Sequence, residues 1–256
     1  MCLVAVAWRA HPRFPLILAG NRDEFHRRAA TPADWWPEAA DVFGGRDLQA
    51  GGSWLGITRQ GRLALVTNNP LRPPADGRHA SRGALVRDFL LGEQPAGEFL
   101  ATLQAAVDRY AGFTLLVGTV GDGLHGIVSP AGDLGARWAL PAGVSVLSNA
   151  PREQPWPKVT WLEQALTEYL ARRAAAAEPD PDELLALLGR RMPVAEPEAD
   201  TLPARARVTP FIAGAEYGSR ASTVILADDR GGWRCIERRF GPGGVPAGES
   251  SARHHP

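Results

Sequence analysis

The chain is poor in several things at once. It has two cysteines, Cys2 and Cys235, in 256 residues. That is too few for a disulfide framework, and with no CxxC pair it excludes c-type haem attachment and leaves no zinc-finger pattern. Six histidines are scattered, with no HExxH. The basic and acidic residues balance at 28 each, which argues against nucleic acid as an electrostatic partner. Of the basic residues, Lys158 is the one lysine; the others are arginine, a bias expected of a GC-rich genome. No apolar run approaches the roughly 18 residues of a membrane span, and the start lacks a signal peptide's basic leader. Together these features predict a cytoplasmic protein with no membrane insertion. What remains is ordinary: 45% hydrophobic and 22% charged residues, the composition of a soluble globular domain. The expected organisation is one domain over 1–240 and a flexible tail over 241–256, rich in Gly, Pro and Ser.

Apolar runs separated by turn residues predict antiparallel hairpins. Leu3–Trp8 and Leu16–Ala19 flank His11-Pro12 and Pro15; Trp54–Thr58 pairs with Leu63–Thr67, and Phe113–Val117 with Leu124–Val128. Val144–Leu147 adds a strand, and Thr223–Ala227 with Arg234–Arg239 closes the set. Helical periodicity predicts helices over Ser81–Leu91, Ala96–Tyr110, Pro157–Arg173 and Pro181–Arg191. Residues 174–181 and 193–204 read as surface loops. Hairpins alternating with helix pairs lack strict βαβ order, so the fold class is α+β.

Cys2 is the sharpest chemical feature. Initiator methionine is trimmed when the next side chain is small, and trimming would free an α-amine beside the thiol. That amine has a reference pKa of about 7.7–8.0 and can act as a base near neutral pH. The alternative is a small buried residue opening a strand. Cys235, inside a late strand, reads as core. Asn21-Arg22-Asp23-Glu24 follows the second strand directly, and the first hairpin would bring Asp23 back beside Cys2. There it is either an amine-holding carboxylate or part of a surface ion-pair cluster. In Gly51-Gly52-Ser53-Trp54-Leu55-Gly56 the glycines permit close backbone approach, and Trp54 packs or lines a wall. Asn68-Asn69-Pro70 and Asn149-Ala150-Pro151 end strands, as turn formers or as donors toward an oxyanion. Arg220 precedes a strand, as a cap or a carboxylate reader. The thiol of Cys2, near a free amine and Arg22 or Arg220, is expected below its reference of about 8.5.

These segments together resemble the NRDE family, also called the transport and Golgi organisation family. The matching pieces, in family order, are MC, NRDE at 21–24, GGSWLG at 51–56, TN at 67–68 and SRG at 81–83. YAGFTLLVG at 110–118, LSNAP at 147–151, PWPK at 155–158 and YGSRASTV at 217–224 complete the set. The resemblance implies a four-layer αββα fold of the N-terminal nucleophile hydrolase kind. A more distant resemblance, to choloylglycine hydrolases and penicillin V acylases, implies roles. Cys2 matches their nucleophile, Asp23 the acid beside it, Asn68 and Asn149 the oxyanion-side asparagines, and Arg220 the late arginine. Asn21, Arg22, Glu24, Asn69 and Trp54 would support or bind substrate. Those hydrolases carry an arginine three residues before the aspartate; here that position is Gly20. The implied activity is cleavage of a linear C–N amide bond in a small molecule, with no metal and no cofactor. The family also implies a second function, haem trafficking by a non-catalytic carrier. His11, His26, His79 and His125 are its candidate axial ligands and Trp35-Trp36 an apolar wall.

Overall fold

A computed structural model describes residues 2–69, 80–129, 136–150, 154–173, 177–193 and 202–256. In chain order its strands are β1 Cys2–Trp8, β2 Leu16–Phe25, β3 Asp34–Trp36, β4 Ala39–Gly44, β5 Leu55–Thr58 and β6 Arg62–Asn68. They continue as β7 Phe113–Thr119, β8 Gly123–Ser129, β9 Ala136–Ala139, β10 Gly143–Ser148, β11 Tyr217–Ala227, β12 Trp233–Phe240 and β13 Pro246–His254. The helices are α1 Arg82–Leu91, α2 Ala96–Gln104, α3 Pro157–Arg172, α4 Pro181–Leu188 and α5 Leu202–Val208. The chain divides into two compact units: Met1–Arg28 with Ala142–Arg253, and Ala29–Pro141 with His254–Pro256.

The first unit holds a six-stranded antiparallel sheet in the order β10-β1-β2-β11-β12-β13. Alternate residues of its strands pack on α3 and α4: Leu3, Ala5 and Ala7, Ile17 and Ala19, Val224 and Leu226 meet Leu162, Leu166, Tyr169, Leu184 and Leu188. The period of two along the strands and of 3.6 along the helices produces this layer without special geometry. Each buried leucine contributes about 1.5–3 kcal/mol. Pro157 and Pro181 both stand at helix starts, where their missing N–H costs nothing.

The second unit holds a seven-stranded antiparallel sheet, β3 to β9 in sequence order, with α1 and α2 on it. Val66, Leu115, Val117 and Ile127 meet Leu85, Val86, Phe89, Leu100 and Leu103. The Gly51-Gly52 and Ser81-Arg82-Gly83 segments touch through backbone: a Cβ on Gly52 would lie 2.3 Å from the Gly83 carbonyl carbon. Ser53 N donates to Gly83 O at 3.1 Å in the same place.

Four expectations change. The segment 241–256 is no loose tail: β13 forms the edge of the six-stranded sheet, where Arg238 reaches Glu249 and Arg239 reaches Ser250. Its sequence buries Ala252 but shows no apolar alternation, so periodicity alone misses it. Strand β11 begins six residues earlier than expected, at Tyr217. Helix α2 ends at Gln104, and a 3-10 turn over Val107–Arg109 completes the stretch. Helix α5 starts inside the stretch read as loop.

Candidate active site

Along β2 the stripe facing the helices begins apolar, with Ile17 and Ala19, and turns polar toward the strand's end, with Asn21 and Asp23. Both polar side chains are buried, at 0% and 1% exposure. Asn21 Nδ2 donates to Leu188 O and Pro210 O, and its Oδ1 accepts from Ser222 Oγ at 2.6 Å. Its amide group is therefore spent on structure, tying β2 to the end of α4 and to β11.

Asp23 sits deeper in a polar cluster. Ser219 Oγ donates to its Oδ1 at 2.6 Å while accepting from Ile212 N, and Tyr217 Oη donates to its backbone carbonyl. The β11 register slips between Ser219 and Ala221, leaving Arg220 as the extra residue. This bulge keeps Ser219 opposite Asp23 while Ser222 stays opposite Asn21. Facing Asp23 from α3 is Lys158, its Nζ 3.8 Å from Oδ2, with both side chains at 0% exposure. Nζ has no hydrogen-bond partner among the described residues and lies 5.6 Å from the Trp156 ring centre. Burial raises the Asp23 carboxyl pKa and lowers that of the Lys158 ammonium; mutual attraction opposes both.

Cys2 opens β1 directly opposite Arg22, one residue from Asp23. Strand alternation places its thiol on the other face of the sheet, with Val4, Gly20 and Arg22. Its backbone nitrogen donates to Asn149 Oδ1 at 2.8 Å in a buried contact. Asn149 was expected on the oxyanion side; here its carbonyl oxygen grips the nitrogen of Cys2. The thiol pKa is raised by burial, against the pull of nearby positive charge, including Arg22, and a backbone hydrogen bond from Asp23. This reverses the expectation of a thiol below its reference. Burial also holds Cys235 well above its ordinary value.

Gly20 and Arg22 share that face. A Cβ at position 20 would stand 3.0 Å from Val4 Cγ2, so a side chain there would crowd Val4, whereas Arg22 lies opposite Cys2 itself. Arg220 Nη1 donates to Phe25 O and Arg28 O, clamping the exit of β2. Glu24 pairs with Arg28 at 3.9 Å. Burial and the nearby Arg22 lower the Arg220 pKa.

The six-stranded unit therefore gathers Cys2, Asn21, Arg22, Asp23, Glu24, Asn149 and Arg220. Asn68, Asn69 and Trp54 belong to the seven-stranded unit. Asn68 ends β6 opposite Phe113, buried Asn69 donates its N–H to Gly112 O, and the Trp54 carbonyl accepts from Val66 N. Sequence reasoning missed Lys158 as a site residue. Its signal was present: it stands four residues before Leu162 and eight before Leu166, on the buried stripe of α3.

Three of the residues considered for haem, His11, His26 and Trp36, hydrogen-bond to the backbone. Both ring nitrogens of His11 serve the backbone: Nδ1 accepts from Arg13 N and Phe14 N, and Nε2 bonds Ala177 O. His26 Nε2 bonds Gly214 O. Trp36 is buried and donates Nε1–H to Gly44 O. His79 lies outside the described residues. These bonds do not build an axial site from His11. Among the described residues no cluster of three His, Cys, Asp or Glu could hold a metal ion. The groove between α3 and α4, lined by Tyr169, Arg173 and Glu183, contains none of the site residues. No helix among the described residues is long and apolar enough to cross a membrane.

Comparison with solved structures agrees on the fold. The chain resembles a Caenorhabditis elegans N-acylethanolamine-hydrolyzing acid amidase ortholog with a TM-score of 0.53 at 14% identity, over 87% of this chain and 92% of that one. A variant of conjugated bile acid hydrolase from Clostridium perfringens gives a TM-score of 0.53 at 7% identity, over 98% and 92%. The architecture is that of the N-terminal nucleophile hydrolases. In sequence the chain is 32% identical over 256 residues to the Transport and Golgi organization protein 2 homolog of Bos taurus, covering 93% of this chain and 92% of the relative. The Homo sapiens homolog is 30% identical over 262 residues, with the same coverage. The family model described as Transport and Golgi organisation 2 matches residues 1–242, and the chain belongs to that family.

Proposed function

We propose that the protein is an N-terminal-cysteine amidohydrolase that cleaves a linear C–N amide bond in a small molecule, in the cytoplasm. One observation carries this reading. The backbone nitrogen of Cys2, the atom that becomes an α-amine once Met1 is removed, is held by Asn149 Oδ1 in a buried contact, opposite the β2 segment that carries Arg22 and buried Asp23. The names of the structural neighbours, an amidase ortholog and a bile acid hydrolase, support the reaction class.

The thiol is raised by burial, so a resident thiolate is disfavoured and a base must form it during the reaction. The Cys2 amine takes the thiol proton, and sulfur attacks the carbonyl carbon to give a tetrahedral oxyanion. The ammonium returns the proton to the leaving nitrogen, the C–N bond breaks and a thioester remains. Water, deprotonated by the same amine, attacks the thioester. The C–S bond breaks, and the carboxylic acid and thiol are restored. Asn149 orients the amine through Oδ1, and its Nδ2 donates toward the oxyanion. Arg22, opposite Cys2, favours negative charge at sulfur.

Intact mass of the purified protein should show a chain beginning at Cys2. In a screen of amide substrates, Cys2→Ala should abolish the turnover that the wild type shows. Unchanged turnover in Cys2→Ala removes Cys2 as the nucleophile. If the wild type cleaves nothing and a haem absorption band shifts equally with wild type and Cys2→Ala, the carrier reading replaces this one.

A further inference from the structure

Lys158 is conspicuous on physical grounds. Stripping water from an ammonium costs several kcal/mol, and a methionine of similar volume would fill the same space without that cost. Yet the ammonium is wholly buried, 3.8 Å from Asp23 Oδ2, with no hydrogen-bond partner among the described residues. The chain uses arginine at every other basic position. Its single lysine stands against the carboxylate beside Cys2.

The amidohydrolase reading, on which this inference rests, creates an electrostatic problem that Lys158 solves. A lone buried carboxylate next to the Cys2 amine would stabilise the ammonium form. An amine trapped as ammonium cannot accept the thiol proton. A second cation beside the same carboxylate cancels that bias. We propose that Lys158 is a positioning residue of the Cys2 site: its charge offsets that of Asp23, so that the carboxylate holds the amine in place without locking it as ammonium. Lys158 acts through Asp23 and touches no substrate. Among the described residues, the other charged or titratable groups around the pair are the Cys2 thiol, Arg22 and Glu24 on β2, Tyr217 on β11, and Arg207 of α5, which lies over Trp156. All of them stay in place in the variants below.

The test is an NMR titration of the full chain labelled with ¹⁵N,¹³C-cysteine and released from an N-terminal fusion so that Cys2 leads it. It reads the amine of Cys2 directly, with or without a known substrate. A failed substrate screen therefore counts against the hydrolase reading alone. Lys158→Met should raise the amine midpoint by about one pH unit, roughly a tenfold rise in the ammonium-to-amine ratio. Asp23→Asn should lower it, and Asp23→Asn combined with Lys158→Met should return it close to wild type. A folded Lys158→Met with the wild-type midpoint overturns the proposal, as does a double variant displaced by a full unit. If neither Lys158 variant folds, Asp23→Asn decides: an unmoved midpoint overturns the proposal.

Discussion

The two sheets are built alike and filled differently. Each is antiparallel, and each lays helices on one face through alternating apolar residues. In the seven-stranded unit the buried polar residues described are Ser53, Thr58, Thr67, Asn69 and Ser129, all uncharged. In the six-stranded unit they include Asp23, Lys158 and Glu237, with Asn21, Asn149, Ser219 and Ser222 beside them. Among the described residues the seven-stranded layer manages without buried charge, so such a layer does not need it. The charges therefore mark where chemistry is to be sought.

The sharpest way to break this contrast is to mutate both sides. Phe89→Ala removes a fully buried ring from the core of the seven-stranded unit and should cost about 3–5 kcal/mol in urea unfolding, because a cavity remains. A loss below 1 kcal/mol would mean that core is less well packed than its burial implies. Asn21→Ala should cost less, about 1–3 kcal/mol, by orphaning the carbonyls of Leu188 and Pro210 and the Ser222 hydroxyl. An unchanged midpoint of denaturation would show that water substitutes freely there.

Exchanging the charged pair for neutral shapes, Asp23→Asn with Lys158→Met, should leave stability unchanged or raise it by about 1 kcal/mol, because the desolvation cost disappears with the charges. Destabilisation comparable to that of Phe89→Ala would make the pair structural and erase the difference between the regions.

The smallest effect concerns His26. Burial, with Arg220 nearby, holds its pKa below 6.5 in spite of the hydrogen bond to Gly214. The unfolded chain therefore binds this proton more readily than the folded one, so the contribution is present above 6.5 and is lost as pH falls through the folded value. His26→Gln should flatten the decline of the unfolding temperature between pH 7.5 and pH 5.5, tested by calorimetry at the two ends. An identical slope in both proteins would refute this linkage.

Much of the framework was legible because it rests on periodicity. The stripe Leu162–Leu166–Tyr169 admits one buried face, and the continuous apolar runs at Leu3 and Leu16 are buried on both. The edge strand β13 was not legible, because an edge binds through its backbone and a few charged contacts, which leave no hydrophobic pattern. The early start of β11 escaped for a related reason: Gly218 to Ser222 show no apolar pattern, and they pair with β2 through the backbone while Ser219 and Ser222 bond to Asp23 and Asn21. At the site, the neighbourhood of Cys2 and Asp23 followed from one hairpin. Lys158 was overlooked because a lysine on a helix usually reads as solvent-facing, although its spacing from Leu162 said otherwise. The duty of Arg220 was beyond the sequence, since nothing local announces that a guanidinium will serve the carbonyls of Phe25 and Arg28.

The partners of the first hairpin also set a timetable. Cys2 N waits for Asn149, and Asn21 waits for Leu188, Pro210 and Ser222, separations of 147 to 201 residues. At roughly 5–20 residues per second, ribosomal synthesis of that span takes on the order of ten seconds or more. Through that interval the N-terminus lacks the contacts that later bury it. The trimming of Met1 that the proposed nucleophile requires would fall in that interval, before β10 pairs with β1 and Asn149 takes the Cys2 nitrogen. Maturation of the proposed nucleophile is thus a matter of sequence in time, with trimming first and sheet completion second.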